Sequence, residues 1–197
     1  MLNKLVAENV LTADRAVCLC AMILSTALVS GAWASELHDA QADEERTSAV
    51  AVIHATDGNT VTGTVRFTQT ATGMNVEAQL TGIAEGEHGF HIHQYGDCSA
   101  ADGTSAGGHF NPGHVDHAGP HADSRHVGDL GNITADAEEN ASYSGFNDFL
   151  TFEGENNIIG RAVIVHAHED DLSSQPTGAA GPRIGCGVIG FASPQAE

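Results

Sequence analysis

Histidine is the residue whose frequency and spacing in this chain could do chemistry. The 197 residues include 12 His. His91 and His93 lie two positions apart in a segment with strand-like residue types, as do His166 and His168. Because alternate residues of a strand point to the same side of a sheet, each pair presents two imidazoles together. The segment between the pairs adds further ligand types: His109, His114, His117, His121, His126 and Asp129.

This combination of imidazoles and carboxylates predicts a metal site, although any one of the histidines alone would more often be an ordinary packed or surface residue. Residues 94–131 are rich in Gly, His, Asp and Pro and show no periodic pattern. A loop of this length is uncommon in a compact domain unless something orders it, and a metal ion would do so. Nitrogen and oxygen ligands without thiolate favour zinc, copper or nickel over iron–sulfur or Cu(I)–thiolate chemistry.

The elements that must position these residues are short strands. Residues 61–67 and 74–80 alternate apolar and polar side chains, and strand-like runs return at 158–167 and 185–192. Short alternating strands with turn residues between them, and no helical period, predict an antiparallel β-sandwich or barrel. No linker or repeat divides the sequence, so we expect a single domain over residues 49–197.

The N-terminus has the features of an export signal. Basic residues precede an apolar run, residues 16–31, which is followed by an Ala-x-Ala cleavage pattern at residues 32–34. A membrane anchor is the alternative, but the run is short for a span of about 20 residues. We therefore expect a signal peptide over residues 1–34 and a flexible acidic leader over residues 35–48. The mature protein would be exported, periplasmic or secreted, with no membrane attachment.

Two cysteines, Cys98 and Cys186, would remain after cleavage of this signal. In the oxidising compartments that exported proteins reach, two cysteines most simply form one disulfide. The alternative is a pair of buried free thiols, which such a compartment disfavours.

The charge of the chain excludes several functions. It has 7 basic and 26 acidic residues and a net charge of −19. Binding to nucleic acid requires basic residues that neutralise phosphates, and docking on anionic membranes requires the same charge. We therefore expect no nucleic-acid partner and no association with anionic membranes.

Five segments resemble, in the same order, the metal-site motifs of the copper,zinc superoxide dismutases. The resemblance covers about residues 49–192. The matching segments are Gly89–Asp97 (GFHIHQYGD), Gly107–Pro112 (GGHFNP), Arg125–Asn132 (RHVGDLGN), Gly160–His166 (GRAVIVH) and Arg183–Gly190 (RIGCGVIG).

The resemblance implies an all-β Greek-key antiparallel β-sandwich, or flattened barrel, with long metal-binding and electrostatic loops. It implies one copper and one zinc ion in each subunit, with His109 bridging both as an imidazolate. The copper ligands would be His91, His93, His109 and His166. The zinc ligands would be His109, His117, His126 and Asp129.

The resemblance also assigns roles to residues that bind no metal. Asp170 would link a copper-ligand to a zinc-ligand histidine, by position His91 and His117. Arg183 would hold the substrate anion by charge and hydrogen bonds. Many family members add lysines near the substrate channel, whereas Lys4 is the only lysine of this chain. Attraction of an anion would therefore rest on Arg183, the metals and protonated histidines.

Some residues remain outside the pattern. For His114, His121 and His168, we favour surface residues over a third metal site. Asn132 and Asn140 begin Asn-x-Ser/Thr sequons, which are informative only in a eukaryotic host.

The implied activity is the disproportionation of superoxide to dioxygen and hydrogen peroxide by a redox-cycling copper, as antioxidant defence outside the cytoplasm. Segments at 95–96, 158–160 and 188–191 resemble the apolar dimer contact of eukaryotic-type members, which implies a homodimer. One alternative is a non-catalytic periplasmic copper- and zinc-binding or copper-delivery protein of the same fold. Another is a β-sandwich binding module stabilised by zinc alone. The full ligand set together with Arg183 favours the enzyme.

Overall fold

A computed structural model of the chain describes residues 47–193. The expected signal peptide and nearly all of the expected leader lie outside these residues, so both stay predictions. Within the described part of the chain, no helix is long and apolar enough to cross a membrane.

Within residues 47–193, eight antiparallel strands close into one barrel, with the order β1-β2-β3-β6-β5-β4-β7-β8. Strands β4, β5 and β6 follow one another as neighbours, and β7 returns to lie beside β4, which is Greek-key connectivity. The predicted all-β antiparallel fold is therefore confirmed. The strands are β1 Ser48–Ala55, β2 Thr62–Gln69, β3 Met74–Thr81, β4 Gly86–His93, β5 Asp129–Ala135, β6 Asn140–Asn147, β7 Ala162–His166 and β8 Arg183–Phe191.

The period-two pattern of the sequence corresponds to the two faces of the barrel wall. In β3, the side chains of Met74 and Leu80 are buried in the core, and those of Asn75 and Gln79 between them are exposed. In β4 and β7, by contrast, both faces are buried, because long loops cover the outer face. The space between the barrel wall and these loops is where the histidines lie.

One predicted strand is shorter than the sequence pattern suggested. The run at residues 158–167 is a strand only from Ala162, because the chain turns at Gly160, which has φ +76°. A positive φ of this size is adopted readily by glycine and breaks the extended conformation. The turn is closed by a hydrogen bond from the Arg161 N–H to the Ile158 carbonyl (3.1 Å).

The loop after β4 is attached to β8 by a disulfide between Cys98 and Cys186. The loop also contains a short 3₁₀ helix, Thr104–Ala106. Ala106 packs with Ala162, Ile164 and Cys186 in a small apolar cluster on the outer side of the wall. The predicted disulfide is thus present, and it fixes the loop that precedes His109.

Candidate metal centre

Two groups of buried side chains converge outside the barrel wall, and one residue belongs to both. In each group, one possible ligand atom from every residue lies within 4.8 Å of the others. We call them the four-histidine cluster (His91, His93, His109 and His166) and the mixed cluster (His109, His117, His126 and Asp129). These are the same residues that the family resemblance implies as copper and zinc ligands.

Strands β4 and β7 hold three of the rings rigidly. Phe90 and Ile92 point into the core, so His91 and His93 point outward, and His166 does the same at the end of β7. His109 is joined to β4 by a bridge pairing with His93.

The mixed cluster has the dimensions of a tetrahedral metal site. Asp129 Oδ1 lies 2.8 Å from Nδ1 of His109, 3.0 Å from Nδ1 of His117 and 3.2 Å from Nδ1 of His126. The Nδ1 atoms of His126 and His109 are 3.4 Å apart. Four ligands at zinc-like distances of about 2.0–2.1 Å would be separated by about 3.3 Å along each edge of a tetrahedron. The donor set of three imidazoles and one carboxylate therefore fits zinc.

The four-histidine cluster contains nitrogen atoms that lack the partners buried groups normally have. Nε2 of His166 lies 3.4 Å from Nε2 of His93. Nδ1 of His91 and Nε2 of His109 are buried without a hydrogen-bond partner. Buried polar atoms without a partner are costly, and a metal ion would satisfy all four nitrogens together. An all-imidazole set suits copper.

Outward hydrogen bonds set the protonation of every histidine ring in the two clusters except that of His109. When one ring nitrogen donates to an oxygen, the second nitrogen of the neutral ring keeps a lone pair for a metal. Five rings have such an acceptor: Gly107 O for His93 Nδ1 (2.9 Å), Gly181 O for His166 Nδ1 (3.0 Å), Val115 O for His126 Nε2 (3.1 Å), and Asp170 for Nε2 of His91 and His117 (2.8 and 2.9 Å).

His109 differs from the other five rings because neither of its nitrogens has an acceptor outside the clusters. Its Nδ1 lies against Asp129 in the mixed cluster, and its Nε2 is one of the unpartnered atoms of the four-histidine cluster. A ring with both nitrogens free of outward bonds is placed to bind one ion on each side. Two dications stabilise the imidazolate that such a bridge requires.

Asp170 connects the two clusters by accepting hydrogen bonds from the outward nitrogens of one ring in each. Its Oδ2 accepts the His91 Nε2–H and its Oδ1 accepts the His117 Nε2–H. Its own peptide is held by the Asn132 amide, which accepts the Asp170 N–H (2.7 Å) and donates to the Asp170 carbonyl (2.9 Å). The family resemblance implies this pairing of Asp170 with His91 and His117, and it implies nothing about Asn132.

Burial keeps the four-histidine cluster neutral. It lowers the pKa of His91 to about 3 and that of His166 to about 4, and neighbouring rings add to the shift. Burial also lowers the pKa of His93 well below its ordinary value. Neutral rings with inward lone pairs are the form that binds metal.

The mixed cluster has the opposite electrostatics. Burial opposes ionisation, but hydrogen bonds from three histidines hold the pKa of Asp129 far below its usual range. The pKa of Asp170 is likewise held low by His117 and His91 against the effect of burial. These two carboxylates outweigh burial at His117 and raise its pKa to about 9. Two buried negative charges therefore favour a cation at this site.

Arg183 lies beside the four-histidine cluster at the start of β8. Its Nη1 donates to the Gly103 carbonyl (2.7 Å) and its Nη2 to the Gly107 carbonyl (2.6 Å). The Gly107 carbonyl also accepts the His93 Nδ1–H, so one peptide group links the guanidinium to a predicted copper ligand. The positive charge of Arg183 contributes to the low pKa of His93 and His166.

The remaining histidines of the sequence pattern lie elsewhere. His114, His121 and His168 are exposed, and none belongs to either cluster. The carbonyl acceptors of the ligand rings had no sequence signal, since any residue can supply a backbone oxygen.

Comparison with known proteins identifies the family. The family model described as "Copper/zinc superoxide dismutase (SODC)" matches residues 61–189. The chain is 46% identical over 153 residues to superoxide dismutase [Cu-Zn] of Paramecium bursaria Chlorella virus 1, a match covering 74% of this chain and 79% of the relative. It is 47% identical over 143 residues to extracellular superoxide dismutase [Cu-Zn] of Drosophila melanogaster, covering 68% and 78%.

A solved structure supports the same conclusion. The crystal structure of the clock protein EA4 superimposes with a TM-score of 0.69 at 40% identity, covering 75% of this chain and 96% of that one. Sequence, fold and the paired clusters agree with one another, and the chain belongs to the copper/zinc superoxide dismutase family.

Proposed function

We propose that this chain disproportionates superoxide, so that two superoxide ions and two protons give dioxygen and hydrogen peroxide. Copper would be held by the four-histidine cluster and zinc by the mixed cluster, with His109 in both. The observation that carries this assignment is the His109 ring, whose two nitrogens enter different clusters while every other ligand ring keeps one nitrogen for an outward oxygen.

When bound, copper supplies one-electron redox chemistry and zinc supplies fixed positive charge. The residues of the chain have separate tasks. Arg183 holds the incoming anion, since a guanidinium fixed by two carbonyls presents its charge with little loss of side-chain freedom. His109 Nε2 takes up a proton in one half of the cycle and delivers it to the second superoxide in the other. His109 Nδ1, which lies 2.8 Å from Asp129 Oδ1, stays in the mixed cluster during this exchange, so that only Nε2 exchanges the proton.

The alternative of a non-catalytic copper-binding or copper-delivery protein needs no anion site. Arg183 argues for the enzyme, because its guanidinium is anchored to the carbonyl that also orients His93. A binding module stabilised by zinc alone would need only the mixed cluster. It leaves unexplained the buried, unpartnered Nδ1 of His91 on the other side of His109.

The test is superoxide decay by the exported chain, purified and loaded with both metals. A rate close to the diffusion limit that disappears when copper is removed is the expected result. A rate at background, with both metals verified as bound, would contradict the proposal and favour the metal-binding alternative.

The chain is exported, and its relatives with the word extracellular in their names support secretion. The disulfide between Cys98 and Cys186 supports an oxidising compartment. Detection of the protein in the medium of its own cells, rather than inside them, would test secretion.

The chain forms a homodimer through one apolar patch. Val52, Tyr95, Val188 and Phe191 are exposed by 44–54%. Strands β1 and β8 are paired, and Gly96 next to Tyr95 packs closely against the Gly160 carbonyl and Val188, so the patch is continuous. Continuous exposed apolar surface of this kind marks association sites. Sedimentation of the wild type and of Val188→Glu tests this: a dimer that the charge dissociates supports it, and a wild-type monomer contradicts it.

A further inference from the structure

The side chain of Gln175 is paired with the peptide groups of His117. Gln175 Oε1 accepts the His117 N–H (2.8 Å), and Gln175 Nε2 donates to the His117 carbonyl (2.8 Å). The same nitrogen also donates to the Ser173 carbonyl (3.2 Å), which fixes the amide orientation. One primary amide thus satisfies both backbone groups of a predicted zinc ligand 58 residues away.

No other hydrogen bond to the His117 peptide groups occurs within residues 47–193. His117 is only 2% exposed, so its N–H and carbonyl need partners inside the protein. It lies in the irregular stretch between Phe110 and β5, where no strand ladder supplies them. Gln175 therefore provides the backbone hydrogen bonds that strand pairing provides for predicted ligands within the sheet.

The other members of the mixed cluster are held by their own surroundings. His109 is paired with β4, and Asp129 is the first residue of β5. The His126 N–H is bound by Asp129 Oδ2 (2.9 Å), and the Asp129 N–H by the His126 carbonyl (3.2 Å). His117 is thus the member whose position depends on a different segment.

That segment, residues 167–182, touches the loop around His117 at further points. Asp170 Oδ1 accepts the His117 Nε2–H, and the Leu172 side chain lies next to Gly119. Gly178 comes so close to the Asp170 carboxylate and His117 Nε2 that an added Cβ would overlap both. The ring and the backbone of His117 are therefore both held by residues 167–182.

We propose that Gln175 is a positioning residue for zinc, acting as a latch that holds the backbone of His117 so that its Nδ1 stays in the mixed cluster. This inference rests on the proposed function, because it takes the mixed cluster as the zinc site. It assigns a role to a residue that binds no metal and contacts no substrate.

The latch is tested by the rate at which zinc leaves the protein. The full chain, loaded with copper and zinc, is mixed with a chelator as wild type, Gln175→Ala and Gln175→Glu. The glutamate variant keeps an acceptor for the His117 N–H and loses the donor to the carbonyl. Cobalt(II) in place of zinc gives a visible spectrum that reports the geometry at the site. Gln79→Ala, an exposed glutamine on β3, is the control for loss of a glutamine, and Ser174→Ala is the control for a change within the same loop.

We expect zinc to leave both Gln175 variants about tenfold faster, the lower end of what loss of an outer partner costs metal affinity. The cobalt spectrum should change, and copper retention should stay within twofold, because the side-chain hydrogen bonds of Gln175 go to His117 and Ser173 and not to His91, His93 or His166. Zinc release within twofold of wild type in Gln175→Ala, or equal acceleration in a control variant, would overturn the latch. A wild-type protein that binds no zinc would instead contradict the proposed function.

Discussion

Replacing Asp170 by Asn removes one charge and one acceptor from behind both clusters. The carboxylate accepts two buried ring N–H groups, from His91 at 2.8 Å and from His117 at 2.9 Å, and Oδ1 also accepts the Leu172 N–H (2.7 Å). An amide has one acceptor oxygen, so one ring loses its partner and faces an NH₂ group. A hydrogen bond to a charged group is worth about 1.5–3 kcal/mol, which corresponds to roughly 10- to 150-fold in affinity.

The loss should fall mainly on zinc. His91 is fixed by the ladder of β4 whatever happens to its ring, with pairing to β5 and β7 on either side. His117 has no ladder, and Asp170 is the partner of its outward nitrogen. We therefore expect zinc affinity to fall about 10- to 100-fold in Asp170→Asn, and copper affinity to fall less.

Chelator competition, measured separately for each metal on the disulfide-bonded protein, checks this. Asp171→Asn is the matched control, since it removes the same charge from the next residue, whose carboxylate is hydrogen-bonded to Ser173 and Ser174 and not to a cluster histidine. Unchanged zinc affinity in Asp170→Asn, or a larger loss of copper than of zinc, would refute the view that Asp170 holds His117 in place.

Three other predictions follow from named contacts. Arg183→Ala should lower the superoxide rate at least tenfold and flatten its dependence on salt, whereas Arg66→Ala should not; an unchanged salt dependence would show that attraction of the anion arises elsewhere. The metal-free protein should lose stability as pH falls from about 6.5 towards 4, because buried His91 and His166 have pKa values of about 3 and 4 when folded and about 6.5 when unfolded, so the unfolded chain binds more protons. Urea midpoints across this range test it, and a flat profile would contradict it. In a eukaryotic secretory host, a glycan should be found at exposed Asn140 and not at Asn132, whose amide is bonded to the Asp170 peptide; mass spectrometry of Asn140→Gln that still finds a glycan would overturn this.

The strands and the ligand types could be predicted from the sequence because each depends on local pattern. Alternation in β3 gave the buried face directly, and the two-residue spacing of His91 and His93 gave a shared direction. The acceptors that orient the rings could not be predicted. The carbonyls of Gly107 and Gly181 are chosen by packing between segments far apart in sequence, and a carbonyl carries no side-chain signature.

The role of Gln175 could not be predicted from the sequence either. Gln175 is exposed and lies in a polar stretch, so composition predicts an ordinary loop residue. Only the fold brings its amide against the peptide groups of His117, 58 positions earlier. Glutamine forms neutral hydrogen bonds at many sites in proteins. Gln175 acquires a specific role because the peptide groups of His117 are buried and have no other hydrogen-bond partner within residues 47–193.

The net charge of −19 and an anionic substrate are compatible because of where the charges lie. The two acidic side chains that enter or back the clusters, Asp129 and Asp170, are buried and hydrogen-bonded to histidines. Two bound dications together with Arg183 outweigh these carboxylates and a bridging imidazolate, which leaves a local excess of positive charge. The other acidic residues within residues 47–193 lie mostly at the surface, where salt screens their charges within about 10 Å. Without metals, protonated His117 and Arg183 only balance the charges of Asp129 and Asp170, so attraction of the substrate requires the metal-loaded protein.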